Sequence, residues 1–324
     1  MKKTLIALAV LAASGASFAQ VTITGTLAMG YKATTINGND ASGLGVDTSE
    51  INFMATEDLG GGMKATAKMG LAGADRSGES GNGTVGGRDA SLVLTGGFGA
   101  VALTSVRSAD YLSGGVSGVA GIGFDGKVFG ARRIADAISY SVPVGPVSLT
   151  LQHQENDVAA NLAAGGLGIG AAGSSAQRLN VLSVTYAAGP LVANGQYLSY
   201  DNRNSGFNTT ADYVTRAAGS YNFGMAKLGL GYSQANYSGG ATRKDALVGV
   251  SVPLGAVTVG AQWAQRKGEG FGSPAADGTT NETGLNLAYA LSKRTSVVGM
   301  YTRWDVLNQS SANTETSVLV VHNF

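Results

Sequence analysis

The stretch TSVLVVHNF, Thr316–Phe324, closes the chain. Thr316, Val318, Val320 and His322 alternate with Ser317, Leu319, Val321 and Asn323, the period-two pattern of a strand. The last residue is a bare aromatic, whereas a chain end is ordinarily polar and frayed. The stretch therefore reads as a strand that runs to the final residue, and its pairing partner has to lie elsewhere in the chain.

The same alternation recurs throughout. MKATAKMG sets Met63, Ala65, Ala67 and Met69 against Lys64, Thr66 and Lys68, and AVTVGAQWAQR sets Val257, Val259, Ala261 and Trp263 against Thr258, Gly260, Gln262 and Arg266. ETGLNLAYA sets Thr283, Leu285, Leu287 and Tyr289 against Glu282, Gly284, Asn286 and Ala288. Such stretches are about 9–11 residues long, the length with which a tilted strand crosses a bilayer. Between them lie two kinds of connection. Short turns occupy Glu57–Met63, Thr95–Ala100, Val142–Val147, Ala187–Leu191, Asn222–Ala226, Val252–Ala256 and Ala290–Thr295. Long polar connections occupy Thr34–Asp47, Gly73–Gly87, Asn156–Ala176, Asp201–Thr210 and Lys267–Thr280. Pro143, Pro146, Pro190 and Pro253 sit in the short set, where a missing amide does not break a ladder. Seven short turns alternating with long loops, with both chain ends on the short-turn side, require eight hairpins and hence sixteen strands. That is the pattern of an all-β transmembrane antiparallel barrel, in which closure leaves no backbone amide unpaired in hydrocarbon. The strand from about Thr314 to Phe324 is then expected to pair with the first, from about Val21 to Tyr31. A soluble β-sandwich would show turns of similar length on both sides.

Composition agrees. Glycine makes up 50 of 324 residues, about twice its usual share of about 7 %, and charged residues are 13 % against about 25 %. Hydrophobic residues at 44 %, spread evenly, exclude a disordered chain. MKKTLIALAVLAASGASFAQ begins with Lys2 and Lys3, continues with an apolar run from Leu5 to Ala13, and ends in Ser17-Phe18-Ala19, so residues 1–19 read as a secretory signal peptide and 20–324 as the barrel. Removing the leader leaves 20 basic against 21 acidic residues, a balance that argues against a nucleic-acid partner. There is no cysteine although the chain reads as exported.

On specific residues the sequence resembles the Gram-negative general porins, the trimeric sixteen-stranded kind of β-proteobacterial outer membranes. SEINFMATEDLGGGMKATAKM (Ser49–Met69) resembles that family's second and third strands. GGFGAVAL (Gly96–Leu103) resembles the turn before its fifth, and RIADAISYSVPVGPVSL (Arg133–Leu149) the segment after its inward loop. YALSKRTSVVGMYTRWD (Tyr289–Asp305) is the strongest likeness, and the closing His-Asn-Phe is similar to the family's His-x-Phe end. The resemblance implies a passive, water-filled channel in the outer membrane for ions and small hydrophilic solutes. It implies a homotrimer without cofactors, and contact with lipopolysaccharide, periplasmic chaperones and the barrel assembly machinery, with Phe324 as the closing signal. The alternative is a substrate-specific channel.

In that family the third long loop narrows the lumen; here it corresponds to Val106–Asp136, also the longest gap between recognisable strands, with Gly114, Gly115, Gly118, Gly121 and Gly123 to allow a tight inward fold. The candidate constriction charges are Asp110, Asp125, Asp136 and Lys127 from the loop, Lys68, Arg133 and Arg107 from the wall or loop base, and Glu50 on the second strand. Lys64, Arg216 and Arg266 also point inward by strand parity. The family's pattern is not met everywhere: its second-strand arginine aligns with Glu50, a Gly-Arg is replaced by Thr104-Ser105 with Arg107 two positions on, and a third-strand carboxylate aligns with Gly70. Preference for anions or cations is therefore open.

Catalysis has little to stand on. The chain has two histidines, His153 and His322, and lacks a Gly-x-Ser-x-Gly elbow, a cysteine nucleophile and a His-x-x-x-His pair. Asp201–Gly206 (DNRNSG) offers oxygens suited to calcium, equally explained by loop solvation. Small residues Ala28 and Gly30 in the first strand are read as lipid-facing, a flat patch against which a second copy could pack.

Overall fold

The computed structural model describes residues 20–73, 85–108, 110–130, 134–156, 177–201 and 211–324. The expected leader and Arg133 lie outside the described residues, as does nearly all of the calcium-suited stretch. Sixteen strands follow in order: β1 (Gln20–Ile36), β2 (Asn39–Gly60), β3 (Met63–Ala72), β4 (Gly86–Gly96), β5 (Gly99–Arg107), β6 (Ile134–Val144), β7 (Val147–Asn156) and β8 (Gln177–Ala188). The second half comprises β9 (Leu191–Asp201), β10 (Tyr213–Asn222), β11 (Lys227–Asn236), β12 (Thr242–Leu254), β13 (Val257–Glu269), β14 (Gly278–Ala290), β15 (Thr295–Trp304) and β16 (Asn313–Asn323). Each strand pairs antiparallel with its sequence neighbours and β16 pairs with β1, so the sheet closes into a barrel.

The seam answers the question raised by the terminal strand. Its register runs from Thr35↔Thr314 to Thr26↔Asn323. Phe324 extends it, its amide donating to the Gly25 carbonyl at 3.1 Å and its carbonyl accepting from the Gly25 amide at 2.9 Å. All seven short turns fall where the sequence puts them.

Two expectations fail. The supposed long loop Thr34–Asp47 is a continuation of β1 and β2 as a two-stranded ribbon to the turn Asn37-Gly38. Asn37 and Gly38 have φ of 52° and 77°, the conformation of the mirror-image hairpin turn that Asn-Gly favours. Asn-Gly between paired stretches was the available signal; the polar composition around it concealed it. The connection read over Lys267–Thr280 likewise shrinks, because β13 reaches Glu269 and β14 starts at Gly278.

The second failure is the small patch. Leu27 and Met29 face outward, 41 % and 47 % exposed, whereas Ala28 is 3 % exposed and shares the inner face with Gly30. The small residues of β1 therefore face the lumen, and the lipid-facing surface there is made of Leu27 and Met29 instead of a flat small-residue patch.

Elsewhere alternation holds. The outward row carries Val318, Val320, Leu285, Leu287, Leu149 and Leu151, all exposed, a band that is tolerated only in hydrocarbon. Aromatic rings border this band. Tyr140, Tyr186, Tyr221, Tyr289 and Phe324 lie toward the short turns; Tyr197, Tyr213, Tyr232, Trp263, Tyr301 and Tyr31 lie toward the long loops.

Candidate functional site: the lumen and its inward loop

The connection from β5 to β6 turns into the barrel. Its side chains Leu112, Ala120, Ile122, Phe124, Val128 and Phe129 are buried together against Leu247 of β12 and Ala264 of β13. The wall beneath is shaped to receive them. Lumenal positions Gly229 and Gly231 on β11, Gly249 on β12, Gly260 on β13 and Gly284 on β14 form a track with no side chains. A Cβ at Gly231 would lie 2.5 Å from Ser117 Oγ and 2.7 Å from Leu112, one at Gly284 3.0 Å from Ile122, and one at Gly260 would run into the Ala120 carbonyl oxygen.

Polar wall residues then pin the loop backbone. Gln262 Nε2 donates to the Ile122 carbonyl and Asn286 Nδ2 to the Ala120 carbonyl, each at 3.1 Å, and the Val128 amide donates to Glu282 Oε2 at 3.1 Å. Lys127 reaches across to β15 and β16, donating to Thr302 Oγ1 at 2.8 Å and Glu315 Oε1 at 3.3 Å, with its ammonium 5.0 Å from the Trp304 ring centroid. At about 1 kcal/mol net per hydrogen bond and about 1.5–3 kcal/mol per large buried apolar side chain, the loop is a fixed part of the barrel.

The candidate charges divide into several groups. Asp110 and Asp125 come together on the loop, where Asp110 accepts from Ser113 Oγ and from the Leu112 amide at 3.0 Å. Lys127 is tied to the wall and is not free in the pore. Lys64 and Lys68 line the inner face of β3, in register with Asp58 and Met54 of β2. Glu50 is also lumenal, but Arg88 of β4 sits 2.5 Å from it, so the expected sign reversal on β2 is cancelled by a cation from the neighbouring hairpin. Arg216 and Arg266 face inward and touch the loop: their guanidinium carbons lie 4.8 Å from the Tyr111 ring centroid and 5.6 Å from that of Phe129.

Two expected constriction residues face elsewhere. Asp136 is exposed and stands in register with Ser105, in phase with Leu103 and Ile138 on the outward face, and Arg107 follows the same phase at the end of β5. Counting the loop to Asp136 placed it inside; β6 in fact begins at Ile134, and strand parity turns Asp136 outward. His153 is outward too, Nδ1 2.8 Å from Asn180 Oδ1, and His322 lies beside Thr295 and stacks on Phe324.

Sequence reading missed Arg88, Arg243, Glu282 as a loop anchor, and the glycine track. Arg88 is displaced in phase by a register shift between β3 and β4, which no period count foresees. The glycines were visible as lumenal positions on β13 and β14, but only the packed loop shows why they are bare.

Burial pushes the Asp110 carboxyl above the ordinary carboxylate range, and the neighbouring Asp125 carboxyl adds to the rise against the lowering bonds from Ser113 and Leu112. Burial raises the Tyr111 hydroxyl to about 12, with Arg216 opposing, so it stays neutral. A raised carboxyl pKa means that Asp110 gains its proton earlier as pH falls than an ordinary aspartate does near about 4. Acidification is therefore expected to strip negative charge from the loop first and shift the zero-current potential toward anions. Asp110→Asn should abolish that early shift; if the variant titrates as the parent does, the assignment to Asp110 fails.

Comparison with known proteins matches this geometry. A family model described as Gram-negative porin matches residues 4–309. Outer membrane porin protein 32 of Delftia acidovorans is 31 % identical to this chain, covering 92 % of it and 88 % of the relative. Among solved structures, the anion-selective porin from Comamonas acidovorans superposes with a TM-score of 0.71 at 22 % identity, covering 95 % of this chain and 100 % of that one. A loop-deletion mutant of OmpT, an outer membrane protein of Vibrio cholerae, superposes with a TM-score of 0.64 at 13 % identity, covering 94 % and 99 %. A closed sixteen-stranded barrel with an inward loop, an apolar outer band and a charged lumen defines a channel. This chain belongs to the Gram-negative porin family and forms an outer-membrane pore for passive diffusion.

Proposed function

We propose that the chain is a general diffusion pore with a weak preference for anions, narrowed between the inward loop and the lumenal faces of β2–β7. The observation that carries this is the position of the loop: its packing and hydrogen bonds fall on β9–β16, which leaves the β2–β7 side for water. Along that path Lys64 and Lys68 have no carboxylate within ion-pair distance among the described residues, while Asp110 shares its site with Asp125 and is held toward neutrality. A pore lined with one excess sign focuses the opposite ion. The similar Comamonas protein, described as anion-selective, supports the same direction.

The outward facing of both histidines supports a reading without catalysis. Residues 1–19 direct export and are removed, and lipopolysaccharide and the assembly machinery are met in the membrane. The functional unit is a homotrimer. Support for its contact face comes from β3–β7, where the aromatic row toward the long loops is interrupted. Ala67, Ala90 and Leu92 there line a shallow outer groove of about 580 Å³, bordered by Ser105, Asp136 and His153. Polar side chains are costly against lipid but tolerable against protein.

Single-channel recording of refolded protein in a planar bilayer under a salt gradient tests the reading. Expected are openings in triplets and a zero-current potential of the sign carried by anions. A heat-resistant barrel that passes no current would defeat it.

A further inference from the structure

The outward face of β11–β15 changes character along its length. Below the row of Tyr232, Trp263 and Tyr301 these strands present Leu230, Val259 and Leu287 to the membrane. Beyond that row, on the long-loop side and in the same outward phase, stand Lys244 of β12, Lys267 and Glu269 of β13 and Arg303 of β15.

These charges are incompletely matched. Lys244 and Lys267 are direct partners in the β12–β13 register, and like charges directly opposite repel. They share one carboxylate: Glu269 takes Lys267 at 2.6 Å and Lys244 at 3.0 Å. Arg303 meets Asp305 at 3.6 Å, a loose contact. Three cations thus stand against two carboxylates, and all five side chains remain between 36 % and 53 % exposed. Amides fill the outward positions between them. Gln265 donates to Asn281 at 3.0 Å and Asn281 to Asp305 at 3.4 Å, while Gln234 on β11 donates to Asn236 at 3.1 Å. An amide carries two donors and two lone pairs, so by count each keeps capacity for a hydroxyl group.

The strip lies directly above the aromatic row that marks the membrane interface, at the level of the outer-leaflet headgroups. Hydrocarbon does not cover charges of this kind. The trimer face proposed above lies on β3–β7, and β13 stands across the closed barrel from β5, so that contact leaves the strip to the lipid. Excess positive charge, flanked by amides and underlain by an apolar band, fits a lipid whose headgroup is a phosphorylated sugar. A phosphate accepts from two ammonium groups that repel each other in its absence. Sugar hydroxyls meet the amides, and the acyl chains lie on Leu230, Val259 and Leu287. A glycerophospholipid brings the phosphate without the sugar ring.

We propose that Lys244, Lys267 and Arg303, with Gln265 and Asn281 between them, form a docking site for the phosphorylated sugar headgroup of lipopolysaccharide on the outer-leaflet face of β12–β15. The site deepens the lipopolysaccharide contact named with the pore reading above, and it lies on the outside of the wall, away from the conducting path.

Native mass spectrometry of the folded, detergent-solubilised protein titrated with diphosphoryl lipid A tests it. The parent is expected to bind the lipid, and the dissociation constant should rise about tenfold in the double variant Lys244→Gln, Lys267→Gln, the loss of about one charge-assisted hydrogen bond. These side chains face outward and are exposed, so the variant should keep a heat-resistant barrel and the parent conductance. Lys293→Gln, in a short turn at the opposite end of the barrel, should leave lipid binding unchanged. Binding by the double variant equal to the parent overturns the site, as does an equal loss in Lys293→Gln. Phosphatidylglycerol bound as tightly as lipid A overturns recognition of the sugar. Loss of oligomer mass in the double variant, with lipid binding kept, makes the strip a contact between copies and overturns the docking site. Conduction by a parent that binds no lipid A defeats the site alone, whereas lipid A binding by a folded parent that passes no current defeats the pore reading alone.

Discussion

Replacing Gly260 with valine is expected to lower single-channel conductance severalfold. Gly260 is a bare point on the lumenal track of β13, and any Cβ there meets the Ala120 carbonyl oxygen, which already accepts a hydrogen bond from Asn286. The loop cannot step aside along the wall, because Gln262 holds the Ile122 carbonyl on one side and Lys127 is fastened to Thr302 and Glu315 on the other. It can only rise into the water path. Overpacking of this kind costs about 1–3 kcal/mol, too little to unfold a closed barrel but enough to dislodge a few loop contacts. Gly260→Ala should show a partial version of the same effect. Conductance equal to the parent in both variants, with folding verified by heat resistance on gels, would show that the loop does not rest on this track.

Deleting Phe324 should have the largest effect on assembly. The residue closes the β1–β16 seam through two backbone hydrogen bonds with Gly25, and its ring lies over Gly25 so closely that no Cβ fits there. Without it the Gly25 amide and carbonyl are left unpaired at the edge of the apolar layer, where the loss costs about 1–3 kcal/mol per group. The seam joins the two ends of the chain, so no tight turn holds its register. Refolding yield into detergent, read as the fraction of heat-modifiable species, should fall sharply for the deletion. The fall should be smaller for Phe324→Ala, which keeps the backbone pair. Equal yields for deletion and parent would remove Phe324 from the closing step.

The legible and illegible parts of this protein separate along a physical line. Period-two alternation and the seven short turns are local: each is imposed by the pleat or by turn residues such as Pro143 and Pro253, and sixteen strands and closure follow by counting. The Asn37-Gly38 hairpin is equally local, its Asn-Gly signal set among polar residues that resemble a loop. Lumen-facing Lys64, Lys68, Arg216 and Arg266 were readable from parity alone. The facing of Ala28 is not legible from parity, because parity holds only when the strand's starting phase is known and bulges such as those near Ala28 and Gly70 reset it. That of Asp136 is not legible because the loop's end, and so the start of β6, has no local marker.

By itself, then, the sequence determined strand number, turn placement, the apolar outer band and the seam that ends on Phe324, because these depend on neighbours a few residues apart. Only the tertiary structure decided where the loop lands and which carboxylates are already taken. The partners Glu50 and Arg88, Asp245 and Arg266, or Lys127 and Glu315, are brought together by register and by an inward fold spanning as much of the chain as Lys127 and Glu315 do, and no local pattern encodes that meeting.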